Sequence, residues 1–169
     1  MICEHDRMSP ERSAPPATVS SVRSAPFSEL DPRTAYLLWR LRSEVFVVEQ
    51  DCPYLDLDGR DLEPQTVHLW VETAEDPGTP LGTLRILQEP DGSTLRIGRV
   101  VVAQPHRGAG LAAQLMQAAL DQVGERRCVL DAQAHLAHWY ARFGFAPSGP
   151  EFLEDGIPHV PMTRPATTD

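Results

Sequence analysis

The stretch RVVVAQPHRGAGLAAQLMQAAL, residues 99–120, constrains this chain more than any other part of it. An unbroken apolar run leads into a polar loop with glycines at 108 and 110 and then straight into an amphipathic helix. The helix positions Ala112, Leu115, Met116, Ala119, Leu120 and Val123 recur three and four apart. Gly124 stands where a helix C-cap glycine is expected, and RCVLDAQ beyond it reads as a buried strand. Strand, helix and strand in this order form a right-handed parallel crossover. The loop at the helix start therefore presents unpaired N–H groups and the positive end of the helix dipole, a setting for a phosphate or pyrophosphate. Gly108 and Gly110 allow close approach, and Arg107 supplies a guanidinium for phosphate oxygens. The patterns G-x-x-x-x-G-K-[ST] and G-x-G-x-x-G are both absent, so there is no lysine for a γ-phosphate and no hydroxyl for magnesium. Local pattern alone leaves the anion open.

The flanking sequence predicts an α+β fold: a mixed, mostly antiparallel twisted sheet flanked by helices. ATVSSVRSA is a candidate first strand. FSELDPRTAYLLWRLRSEVFVVEQ predicts a helix with Asp31 as N-cap, Pro32 at its first position and a core-facing stripe of Leu38, Leu41, Val45 and Val48; Trp39 and Phe46 are also expected in the core. QDCPYLDLDGRDLEP is a polar loop. TVHLWVET, LGTLRILQ and LRIGRVVVAQ, separated by turn-forming residues, predict an antiparallel meander. HLAHWYARFGF predicts a short helix ending at Gly144, and GIPHVPMTR a last strand.

With 169 residues, 41% of them hydrophobic, the chain suits one core. The Pro- and Ser-rich opening predicts a disordered tail at 1–17, with Met8 an alternative start, followed by one domain at 18–164 and a C-terminal tail at 165–169. A net charge of −9 argues against broad affinity for nucleic acid or anionic membranes. Cys3, Cys52 and Cys128 form no metal or disulfide pattern, and no signal or spanning segment is evident, so a cytoplasmic protein is expected.

Arg107, Gly110 and Ala112 match the Q/R-x-x-G-x-G/A signature of the GNAT superfamily of acyl-CoA-dependent N-acyltransferases, and WYARFGF resembles that family's tyrosine segment at the expected distance downstream. LRSEVFVVEQDCPYLDLDGRDL, IGRVVV, AQAHLAHWYARFGF and EDGIPHVPM resemble its ElaA branch more closely. The resemblance implies a GNAT fold whose fourth and fifth strands splay around the pantetheine arm of acetyl-CoA, the co-substrate, with no metal. It implies that Val100, Val101 and Val102 hydrogen-bond the pantetheine, with an N–H near Val101 polarising the thioester carbonyl. Arg107, Gly108, Ala109, Gly110, Leu111 and Ala112 would hold the pyrophosphate. Tyr140 would protonate or stabilise the departing thiolate, and an acetyl or short acyl group would pass to a primary amine of a small molecule or peptide by direct attack. Many members carry asparagine where this chain has Gln133, which keeps the amide on a longer arm. Homodimers are common among such folds.

Candidates for the base are Glu49, His68, and the EDGIPH group of Glu154, Asp155 and His159. A non-catalytic acyl-CoA-binding regulatory module is the alternative to an enzyme, and a small kinase-like phosphate site a weaker one. DLDGRD opens like a calcium loop, but its twelfth residue is Val67 rather than glutamate. Its carboxylates are expected instead to attract a cationic amine. His135 and His138 lack nearby cysteines for a zinc set, although His135 is placed to line a pocket. Arg85, Arg96 and Arg99 alternate with apolar residues and are expected to be solvent-facing.

Overall fold

The computed structural model describes residues 20–167. The tail expected at 1–17, with Met8 and Cys3, lies outside the described residues, as do the last two. Strand β1, Ser20–Pro26, is followed by helix α1, Pro32–Arg42. Asp31 caps α1 as expected, accepting from the N–H groups of Arg33 and Thr34 at 3.0 and 3.1 Å. Asp31→Ala is expected to lower the thermal midpoint by about 2–4 °C, read by calorimetry, and Asp31→Asn to restore most of it.

The expected continuous helix does not run to Gln50. After Arg42 the chain winds as a π-helical turn, Ser43–Glu49, with Gln50 N–H donating to Val45 O and Cys52 N–H to Val47 O. The wider winding shifts the side-chain phase. Leu38, Leu41 and Val45 stay buried, whereas Val48, expected in the core, is 75% exposed. Trp39 and Phe46 are half-buried rather than core, Trp39 lying against Phe27 with ring centres 5.6 Å apart.

Strands β2 (Val67–Thr73), β3 (Gly82–Gln88) and β4 (Leu95–Val102) form the predicted antiparallel meander. Helix α2, Leu111–Val123, crosses to β5, Cys128–Gln133, which pairs parallel to β4. Gly124 caps α2 with φ of 62°, its N–H donating to Leu120 O at 2.9 Å. Helix α3 is short, Ala137–Ala141, and Gly144 ends the turn after it with φ of 84°. Strands β6 (Ala146–Pro147) and β7 (Phe152–Glu154) were not foreseen, and β8 spans Ile157–Arg164. The eight-stranded sheet runs β1-β2-β3-β4-β5-β8-β6, with β7 on β8. Asp155 and Gly156 join β7 to β8 with φ of 50° and 81°, the two left-handed residues of a tight hairpin turn.

One sheet face buries Leu69, Val71, Leu84, Ile86, Ile97, Leu130 and Met162 against Leu115, Met116, Ala119 and Val123 of α2. Leu41 and Val45 pack on Val101 on the opposite face. Two features position the site. The β4–β5 pairing stops after Leu95↔Cys128 and Arg96↔Val129, so six residues of β4 run on without that partner. Between Thr83↔Val101 and Arg85↔Gly98, β4 also carries one residue more than β3, and Arg99 takes φ of 55°. This bulge turns β4 away from β5.

Candidate active site in the splayed sheet

The diverging strands open a cleft of about 710 Å3, a size that suits a sizeable ligand. Its walls include Val100, Val101, Val102, Arg107, Gln133 and Tyr140, together with Glu49 and His159. His135 also lines it. Residues expected to share a site thus meet although they come from β4, the glycine loop, β5, α3, the π-helical turn and β8. His68 is not brought there. It is 3% exposed on β2, with Nε2 3.1 Å from Asp61 O, and burial pushes its pKa below the usual imidazole value. Its place is under the loop, as a neutral packed ring.

Backbone alternation sorts the three valines. Ala103 N–H donates to Leu81 O beside β3, whereas Val102 O faces the gap and accepts from Arg107 Nε at 3.0 Å. Groups of Val102 and, two residues back, Val100 therefore point at the open edge, and those of Val101 face β3. In the following loop Gly108 and Gly110 both adopt φ of 80°, and a Cβ at either would meet nothing within 4 Å. The first bond of α2 runs from Gln114 N–H to Gly110 O at 3.1 Å, and among the described residues the N–H groups of 108–113 have no hydrogen-bond partner. A cradle of free donors in open space at a helix start fits a diphosphate.

Tyr140 is 8% exposed, and burial pushes its phenol up to about 12. Trp139 and Phe145 grip its ring edge-on at 4.8 and 6.5 Å, while its hydroxyl has no hydrogen-bond partner among the described residues. His159 Nδ1 lies 2.8 Å from Ile157 O. A carbonyl only accepts, so Nδ1 carries the proton and Nε2 of the neutral ring is left as an acceptor; the nearest carboxylate oxygen, Glu154 Oε2, is 4.0 Å away. Phe152 stacks on the ring at 5.9 Å and steadies it.

A family model for the acetyltransferase (GNAT) domain matches residues 56–165. The chain belongs to the GNAT acetyltransferase family. Among its relatives, the UPF0039 protein Rv2851c of Mycobacterium tuberculosis is 50% identical over 141 residues, 82% of this chain and 89% of that protein. Protein ElaA of Escherichia coli is 39% identical over 142 residues, 81% of this chain and 91% of ElaA, and its crystal structure superposes with a TM-score of 0.79. The crystal structure of an acyl-CoA N-acyltransferase from Pseudomonas aeruginosa, 40% identical, superposes with a TM-score of 0.78 over 86% of this chain and 99% of that one. These relatives place the chain in the ElaA-like branch of the GNAT family, whose fold it shares and whose general chemistry is acyl transfer from acyl-CoA to amines.

The arginines expected at the surface are the largest departure. Arg85 is 3% exposed, and Arg85, Arg96 and Arg99 all line the cleft. Arg85 and Arg99 reach the 50–63 loop, whose aspartates they hold together with Arg42. Arg42 binds Asp56 Oδ2 at 2.9 Å and Asp61 Oδ1 at 2.7 Å; Arg85 binds Asp58 and Asp61; Arg99 binds Asp56 Oδ1 at 2.7 Å. Burial raises the pKa of Asp58, but the Arg85 hydrogen bond and charge outweigh it and hold the carboxyl near about 2. Asp56 and Asp61 are each 4% exposed, so they cannot serve as the cation-attracting rim expected of them. Their oxygens, the opening of the calcium-like pattern, are occupied by guanidinium groups. Arg96 bridges Glu89 on one side and Asp131 at 2.5 Å on the other, tying β4 to β5 near the point where they part. The three partners come from three elements, Arg42 from α1, Arg85 from β3 and Arg99 from β4, and the only signal for the network in the sequence is the set of three aspartates in one loop.

Among the described residues no helix is long and apolar enough to cross a membrane.

Proposed function

We propose that the protein transfers an acetyl or short acyl group from acetyl-CoA to the primary amine of a small molecule or peptide by direct attack on the thioester. The observation that carries this reading is the meeting, in one cleft, of the free backbone edge of β4 and the unpartnered Tyr140 hydroxyl. When bound, the coenzyme thioester supplies an acyl group already activated toward amines.

The chain's own residues then have distinct tasks. The N–H groups of residues 108–112 and the Arg107 guanidinium hold the diphosphate, and Gln133 offers its amide at the end of β5. Val100 and Val102, rather than Val101, offer backbone groups to the pantetheine arm and the acyl carbonyl, because their polar groups face the gap. His159 Nε2 accepts a proton from the acceptor ammonium, directly or through water, since the Ile157 carbonyl fixes the proton on Nδ1. Tyr140 donates a hydrogen bond to the departing sulfur. A thiol is a stronger acid, at about 8.5, than a phenol raised to about 12, so full proton transfer from Tyr140 is uphill and hydrogen-bond donation is its task. Amine-dependent thiol release from acetyl-CoA, screened across polyamines, amino acids, aminoglycosides and peptides, tests this reading. Release with one amine class is the expected result, and coenzyme A binding without turnover on any amine would instead support an acyl-CoA-binding module.

A further inference from the structure

Glu49 ends the π-helical turn after α1, and Arg107 opens the glycine loop 58 residues later. Their side chains meet across the mouth of the cleft in a two-pronged contact, Nη1 to Oε1 at 2.6 Å and Nη2 to Oε2 at 2.7 Å. The third donor direction is taken as well, by Nε to Val102 O on the open edge of β4. Both side chains remain partly solvated, at 41% and 43% exposure, so the contact is breakable rather than structural. A guanidinium presents the same fork to a carboxylate and to two oxygens of a phosphate.

We infer that Glu49 is an internal stand-in for the coenzyme's diphosphate: it occupies Arg107 while the cleft is empty, and the diphosphate displaces it on binding. This rests on the reading of the glycine loop as the diphosphate site. The consequence is an order of events. Before the coenzyme arrives, Glu49 is neutralised by its partner. Once displaced, it is an unpaired carboxylate on the wall of the cleft that also holds Tyr140 and His159, and it attracts the ammonium form of the acceptor. Coenzyme binding thus strengthens acceptor binding, and the coupling works equally in reverse. The carboxylate that attracts the amine is Glu49, not the buried aspartates of the 50–63 loop.

Calorimetric titration with coenzyme A, which cannot react, tests the inference. Glu49→Gln is expected to bind coenzyme A about three- to tenfold more tightly than the wild type, because the competitor for Arg107 is removed. In an Arg107→Gln background the Glu49→Gln gain is expected to vanish. Asp51→Asn removes a nearby negative charge that has no contact with Arg107, at a left-handed position asparagine tolerates, and is expected to shift affinity by less than about twofold. Unchanged or weaker binding by Glu49→Gln, or an equal gain in Asp51→Asn, overturns the stand-in role while leaving the coenzyme site intact. A wild-type protein that binds no coenzyme A overturns the coenzyme reading and this inference with it.

Discussion

Tyr140→Phe is expected to lower kcat by about a hundredfold while leaving coenzyme A affinity within a factor of about two. The substitution removes one atom. The ring stays gripped between Trp139 and Phe145, so packing and the thermal midpoint should scarcely change. What is lost is a donor poised at the cleft: the hydroxyl is unpartnered among the described residues, and burial of the ring holds the phenol protonated up to about 12. Without that donor a departing thiolate loses the hydrogen bond that compensates its developing charge. No alkaline limb from this tyrosine is expected in the wild-type pH profile below about pH 11, and steady-state kinetics beside calorimetry read both quantities. Loss of coenzyme binding in step with turnover would mean that Tyr140 acts only as packing.

Arg42→Met is expected to destabilise the fold by about 3–5 kcal/mol, the range for removing one partner of a buried ion pair. For a domain of this size that is roughly a 6–20 °C fall in thermal midpoint. Arg42 is 2% exposed and gives three of its donors to Asp56 and Asp61, both 4% exposed. Without it, Asp61 keeps Arg85 and Asp56 keeps Arg99, leaving excess negative charge in the interior. The same network predicts the response to acid. The folded-state pKa values of Asp58 and Asp61 are depressed below the ordinary 3.8, so their contribution is present above about pH 4. It is lost as pH falls toward about 2, where Asp58 is protonated. Urea unfolding at pH 7 and at pH 3 measures this: the wild type should lose stability between the two, and Arg42→Met should lose less.

The parts of the fold readable in advance are those in which a residue's own backbone chemistry decides the outcome. Asp31 before Pro32 starts α1, Gly124 stops α2, and the glycines at 108 and 110 open the loop between β4 and α2. The meander and the parallel crossover followed from period and turn residues, whereas the meeting of Arg107, Gln133 and Tyr140 in one cleft was implied by the family resemblance. What escaped depends on partners remote in the chain. The apolar neighbours of Arg85, Arg96 and Arg99 mark them as lying off the core but do not say that the 50–63 loop takes up Arg85 and Arg99. The π-helical winding that turns Val48 outward leaves no mark in an apolar stripe that otherwise continues. The single extra residue at Arg99 sets which of Val100, Val101 and Val102 faces the gap; Gly98 beside it hints at an irregularity in the strand, but not at its register. The Glu49–Arg107 contact joins two segments that neither sequence pattern relates.

The central claim is that the gap between β4 and β5 carries acyl transfer to an amine. Its most direct test is a mass balance: wild-type protein is incubated with acetyl-CoA and the amine that best stimulates thiol release, and acylated amine is counted by mass spectrometry against free thiol. One N-acetylated amine per thiol, formed only when both substrates are present, is the result predicted here. Thiol release that proceeds at the same rate without an amine, with no acylated product, would contradict the claim.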